Sequence, residues 1–124
     1  MKTCPVCKID ILEHPANRCL DELIFIHIFG YTKLPFPAMP EFQKPTDNGV
    51  YATYHVNRYS TSIQAAWEVV KEMSANNYWC NMRVLSSHCK VLFENAISRR
   101  YEAKALTYEL SLAICRAAML TVDE

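Results

Sequence analysis

The chain holds only two glycines among its 124 residues. A loop that cradles a phosphate on backbone amides needs several of them within one turn, so a Gly-rich phosphate loop is excluded. No Gly-x-Ser-x-Gly or His-Glu-x-x-His run occurs, so there is no nucleophile-elbow or zinc-protease motif to read. Long apolar runs are lacking too. The best stretch, residues 23–29, is interrupted by His27 and stopped by Gly30, well short of the roughly 20 residues that span a bilayer. The opening Met1-Lys2-Thr3-Cys4-Pro5 has no apolar core of the signal-peptide kind. Net charge is absent, because 13 basic and 13 acidic side chains cancel. Nucleic acid is therefore not the favoured partner, although a local basic patch stays open. These lacks predict a non-enzymatic, cytoplasmic protein with no membrane segment. In a reducing cytosol its six cysteines read as thiols or metal ligands and not as disulfides.

What is present suits an ordinary globular domain: 51% hydrophobic and 21% charged residues. The length suits a single domain over residues 1–124, with 1–14 as a lead that is either zinc-stapled or flexible. Pro15 fits the first turn of a helix, Leu20, Leu23, Ile24 and Ile28 recur at helical spacing, and Gly30 can cap it. A first helix is predicted over 16–29. Residues 31–58 carry Pro35, Pro37, Pro40 and Pro45 with scattered aromatics, among them Phe36 and Phe42, and a turn signal at Asp47-Asn48-Gly49. This stretch reads as a surface excursion, with residues 50–54 as a candidate short strand.

Thr61 with Gln64 forms a capping box for a second helix. Its apolar stripe is Ile63, Ala66, Trp67, Val70 and Met73, with Trp67 as a packed indole, and Asn76-Asn77 ends it. Residues 78–85, with Trp79, Met82 and Val84 as apolar members, and 89–95 read as a β-hairpin. Residues 101–106 suit a third, edge strand. Thr107 is a good N-cap for a last helix whose stripe is Leu110, Ala113, Ile114 and Ala117. The expected fold class is α+β: a short antiparallel sheet of about three strands sandwiched with two to three amphipathic helices.

Two sets of residues carry candidate chemistry. Cys4, Cys7, His14 and Cys19, spaced Cys-x2-Cys-x6-His-x4-Cys, are a candidate tetrahedral zinc set that would staple the lead to the first helix. The alternative is free thiols on a flexible lead. Cys80, His88 and Cys89 read as packing residues, since neighbours on a strand point to opposite faces. Tyr51, Tyr54, His55, Arg58 and Tyr59 precede the second helix. There an arginine could grip a phosphate and aromatics could stack on a base, as a nucleotide binder requires. The competing reading packs Tyr59 as an N-terminal staple and leaves Arg58 solvated.

Three stretches carry a resemblance. Arg58-Tyr59-Ser60-Thr61-Ser62-Ile63-Gln64-Ala65-Ala66-Trp67-Glu68-Val69-Val70 and Leu112-Ala113-Ile114-Cys115-Arg116-Ala117-Ala118-Met119-Leu120 are the stronger two. Leu20-Asp21-Glu22-Leu23 running to Phe29-Gly30-Tyr31 is the third. In order and spacing they resemble segments of the phage ABA sandwich domain family. The resemblance implies helices sandwiched with an antiparallel sheet, and a bacteriophage or prophage source. It transfers no catalytic residues. The cysteine-bearing lead and the 31–58 stretch depart from the family pattern. The reading it favours is a non-enzymatic phage accessory protein in the host bacterial cytosol. Its partner would be a host protein, in counter-defence such as anti-CRISPR inhibition. One alternative is a sponge that sequesters a nucleotide immune signal, and another is a structural zinc-binding phage protein. A homo-oligomer through the edge strand near Tyr101 is compatible with the neutral charge.

Overall fold

A computed structural model describes residues 1–35 and 40–122; Phe36 and Pro37 lie outside the described residues. The α+β expectation holds. The chain folds into α1 (Arg18–His27), β1 (Thr32–Lys33), β2 (Phe42–Thr46), β3 (Gly49–Thr53), α2 (Ile63–Ala75), β4 (Tyr78–Val84), β5 (His88–Asn95), β6 (Arg100–Leu106) and α3 (Leu110–Leu120). A 3-10 turn, Ile11–Glu13, precedes α1. The strands make two antiparallel sheets in sequence order, β1-β2-β3 and β4-β5-β6. The second is the expected sheet. The first arises inside the stretch read as a surface excursion. Its hairpin closes where Thr46 pairs with Gly49 across Asp47-Asn48, and Gly49 adopts φ +119°, a conformation that side chains resist.

Helix α3 organises the core. Ser111 to Cys115 and Ala117 to Met119 are all buried, so the helix is covered on nearly every side, as an all-round apolar helix must be. It packs on β5 and β6, α2 lies beside it against β4, and α1 closes its other flank. Strand β5 turns Cys89, Val91 and Phe93 inward, and β6 turns Ala103 and Ala105 inward. The small sheet is anchored by buried Phe42, whose ring meets Phe25 edge-on at 5.3 Å, while Tyr31 stacks on Phe25 at 3.8 Å.

Several local expectations are corrected. Helix α1 begins later than predicted, because Asn17, not the turn at Pro15, accepts the Leu20 amide at 3.1 Å. Gly30 does follow it with φ +80°, the left-handed turn that ends a helix. Ser62 caps α2 in place of Thr61 by accepting the Ala65 amide. Thr107 is no cap; its hydroxyl donates to the Leu85 carbonyl at 2.8 Å and ties the β4–β5 turn to the end of β6. The buried face of α2 is Ala66, Val69 and Met73, and Trp67 is 51% exposed. Small Ala66 lets the helix approach its neighbours, and that rotation carries the larger indole outward. On β4 the inward side chains are Tyr78, Cys80 and Met82, while Trp79 and Val84 are exposed.

This packing predicts an asymmetry. Ile114→Ala should cost about 2–5 kcal/mol by opening a cavity in the core, whereas Trp67→Ala should cost under about 1 kcal/mol. Urea unfolding midpoints of the two variants check it.

Candidate metal site and a surface groove

The lead is built as a small hairpin. Thr3 pairs with Asp10, the Cys4 amide donates to the Ile9 carbonyl at 2.9 Å, and the Ile11 amide donates to the Lys2 carbonyl at 2.8 Å. Its tip is the turn Cys4-Pro5-Val6-Cys7-Lys8, closed by the Lys8 amide on the Cys4 carbonyl at 3.0 Å. Lys8 takes φ +65° there, the left-handed conformation a turn of this tightness demands. The turn aims the Val6 and Cys7 amides at the Cys4 sulfur, both at 3.4 Å. Burial pushes the Cys4 thiol up, but these two amides stabilise its thiolate, and the balance falls at about 6.

Asp10 then caps the 3-10 turn, which delivers His14 into the interior with no solvent exposure. The His14 Nδ1 lies 2.9 Å from the Pro15 carbonyl. That carbonyl can only accept, so Nδ1 carries the proton and the lone pair of Nε2 faces Cys7 Sγ at 3.3 Å. Cys19 comes from the first turn of α1, with its sulfur 3.6 Å from that of Cys4. Burial, together with the nearby Cys4 and Cys7 sulfurs, pushes its thiol up to about 12.

The four donor atoms of Cys4, Cys7, His14 and Cys19 all lie within 4.8 Å of one another. Zinc–sulfur bonds of about 2.3 Å in a tetrahedron place donors roughly 3.5–3.8 Å apart. The 3.6 Å and 3.3 Å pairs are close to such edges, and the first is far from the roughly 2.05 Å of a disulfide. A soft donor set of three sulfurs and one imidazole suits zinc. The geometry is thus compatible with a structural metal. Sequence spacing found all four donors.

Spacing missed the residue that holds them. Arg116 of α3 donates through Nε to the His14 carbonyl at 2.9 Å and through Nη1 to the Lys104 carbonyl on β6 at 2.8 Å. One guanidinium therefore joins lead, helix and sheet. A charged side chain midway along an otherwise buried helix is the signal that pointed to it. A second tie lies nearby, where the Asp21 carboxylate accepts the Ser60 amide at 2.8 Å.

The proposed ligand-binding residues are placed differently. Tyr59 is buried, stacked on Phe29 with ring centres 5.1 Å apart. Burial raises its hydroxyl to about 12. Tyr51 is exposed and meets Tyr31 at a steep angle, and Tyr54 is exposed. Only His55 and Arg58 share a surface feature, an open groove of about 780 Å³ at the start of α2. Trp67 and Lys71, which sequence reading did not assign to a site, complete its wall.

A family model, the phage ABA sandwich domain, matches residues 26–119, most of the chain. The chain belongs to the phage ABA sandwich domain family. No curated protein and no solved structure matches it. The family match begins after Cys19, so all four candidate metal donors lie outside it, while Arg116 lies inside. Among the described residues no helix is long and apolar enough to cross a membrane.

Arg116→Ala should lower stability by about 1–3 kcal/mol, since it orphans the His14 and Lys104 carbonyls. It should also expose the lead to proteolysis ahead of Asn17. Mass spectrometry of a limited digest tests both position and order of cleavage; cleavage first in β6 would contradict the tethering role.

Proposed function

We propose that this member of the phage ABA sandwich domain family acts by binding a host target, with a structural zinc ion at Cys4, Cys7, His14 and Cys19 fixing its N-terminal lead. The observation that carries the metal is the convergence of four donors from three local structures: the hairpin tip, the 3-10 turn and α1. Two of the four ligands have a supporting contact. Two amides neutralise charge on Cys4, and the Pro15 carbonyl orients His14. All four coordination positions would be filled by protein, which is the closed arrangement of a structural and not a catalytic zinc. The host-target reading, with counter-defence as its setting, rests on the family membership. Exposed Trp67 and Trp79 support it, since tryptophans on a surface commonly anchor partners.

Purified protein should carry one zinc per chain, and cobalt substitution should give the absorption bands of a tetrahedral thiolate site. Chelation, or Cys7→Ser, should lower the melting temperature by several degrees, because binding energy at such a site is folding energy. Sub-stoichiometric zinc with an unchanged melting curve after chelation would sink the reading.

A second reading attaches to the groove. Arg58 and the exposed indole of Trp67 offer charge for a phosphate and a face for a base, while Lys71 beside them is paired with Glu68 at 3.5 Å; the pair of Arg58 and Trp67 suits sequestration of a nucleotide signal. A cyclic dinucleotide or ADP-ribose should then raise the melting temperature, and Arg58→Ala should abolish the shift. A panel of such nucleotides that leaves the melting curve unmoved removes this reading.

A further inference from the structure

The helices cover one face of the β4-β5-β6 sheet, and the other carries an unusual row. Arg83 pairs with Lys90, and Lys90 pairs with Lys104. All three project away from the buried side, since their strand neighbours Met82, Val91, Ala103 and Ala105 face the core. Adjacent strands sit about 4.8 Å apart, so three cations stand across about 10 Å. Like charges directly opposite one another destabilise a sheet. None of the three makes an ion pair among the described residues; on this sheet only Arg100 does, with Glu94 at 3.5 Å. Arg83, Lys90 and Arg100 also line a small concavity of about 140 Å³ on this face, with Asn81, Leu92 and a single acid, Glu102. Trp79 lies two side chains further along β4 on the same side and is 63% exposed. It is about 13 Å from the Arg83 position by strand geometry.

We infer that this open sheet face binds the backbone and bases of a single-stranded nucleic acid. The cation row supplies phosphate contacts, and the indole supplies a stacking platform. This goes beyond the host-target reading and does not rest on the metal. A second copy of the chain is a poor occupant, because the same face offers only Glu94 and Glu102 against Arg83, Lys90, Arg100 and Lys104. An acidic protein surface would satisfy the row but would leave the indole without a π-faced partner. A nucleic-acid strand satisfies both, which is the pairing that sequence-tolerant single-strand binding uses. The zero net charge of the whole chain does not weigh against it, because the row is local.

The test is fluorescence anisotropy of a labelled oligothymidylate of roughly ten nucleotides on the full chain. Three phosphate contacts predict an affinity that falls about twentyfold between roughly 50 and 200 mM salt. Trp79→Ala should weaken binding about tenfold. The triple change R83E/K90E/K104E should abolish binding, whereas Lys33→Ala, in the separate β1-β2-β3 sheet, should leave it intact. Folding is checked with K90E alone. It places a carboxylate between two cations, so its melting temperature should hold or rise while its oligonucleotide affinity drops. No binding at low salt would overturn the proposal. So would an affinity indifferent to the triple change, or polyglutamate competing as well as the oligonucleotide; that last result would assign the face to an acidic protein instead.

Discussion

Helix α3 buries eight of its eleven residues, and the rest of the fold follows from the need to cover it. A helix that is apolar on all sides cannot lie at a surface. The sheet takes one side, α2 sits beside it, and α1 with the 3-10 turn takes the remainder. Ala113, Ala117 and Ala118 keep it thin, so neighbours approach closely without strain. Cys115 belongs to the same packing. It is fully buried, its thiol is pushed well up by burial, and it acts as a small hydrophobe. Position 116 is the exception that gives the helix a second task, because a guanidinium leaving this core must find acceptors on its way out. It finds them on the lead and on β6.

That arrangement bears on the lead's stability. Ordering a residue costs about 1–2 kcal/mol in backbone entropy alone. Against this the lead buries only Cys4, Ile11 and His14 fully, and it leaves Val6, Ile9 and Leu12 exposed. Apolar burial of about 25 cal/mol per Å² from so few side chains does not offset the ordering of the whole segment. A buried imidazole and clustered thiols would be a poor apolar core in any case. A bound zinc would supply the missing free energy at the point where hairpin tip, turn and helix meet.

Much of this was legible in the sequence, for identifiable reasons. The β4-β5-β6 sheet and the core of α3 could be read because alternation and helical spacing there match burial, as at Cys89, Val91 and Phe93 or at Ala113, Ile114 and Ala117. The cluster of Cys4, Cys7, His14 and Cys19 could be read because short loops hold these residues, so sequence spacing translates into distance. Trp67 and Trp79 were misplaced because their hydrophobicity was taken to fix the inward face; on α2 the close contact is made by Ala66, and on β4 by Cys80 and Met82. Strand β2 was hidden by Pro45, which lies beyond the short pairing with β1, where a missing amide costs the sheet nothing. The N-caps of α2 and α3 were missed by one and two positions, at Ser62 and Glu109; Thr107 is held instead by its bond to the Leu85 carbonyl.

The matched residues begin inside α1, yet the surface that receives the lead is made largely by matched residues: Arg116, the Lys104 carbonyl, and the α3 face that the 3-10 turn packs against. A lead that relied on apolar contact would need a large complementary surface there. A lead whose conformation is fixed internally, by hairpin pairing and by the proposed zinc, would need only to be held in place, and a single two-pronged arginine can do that. The open side of the β4-β5-β6 sheet and the groove at α2 are lined by residues outside the lead.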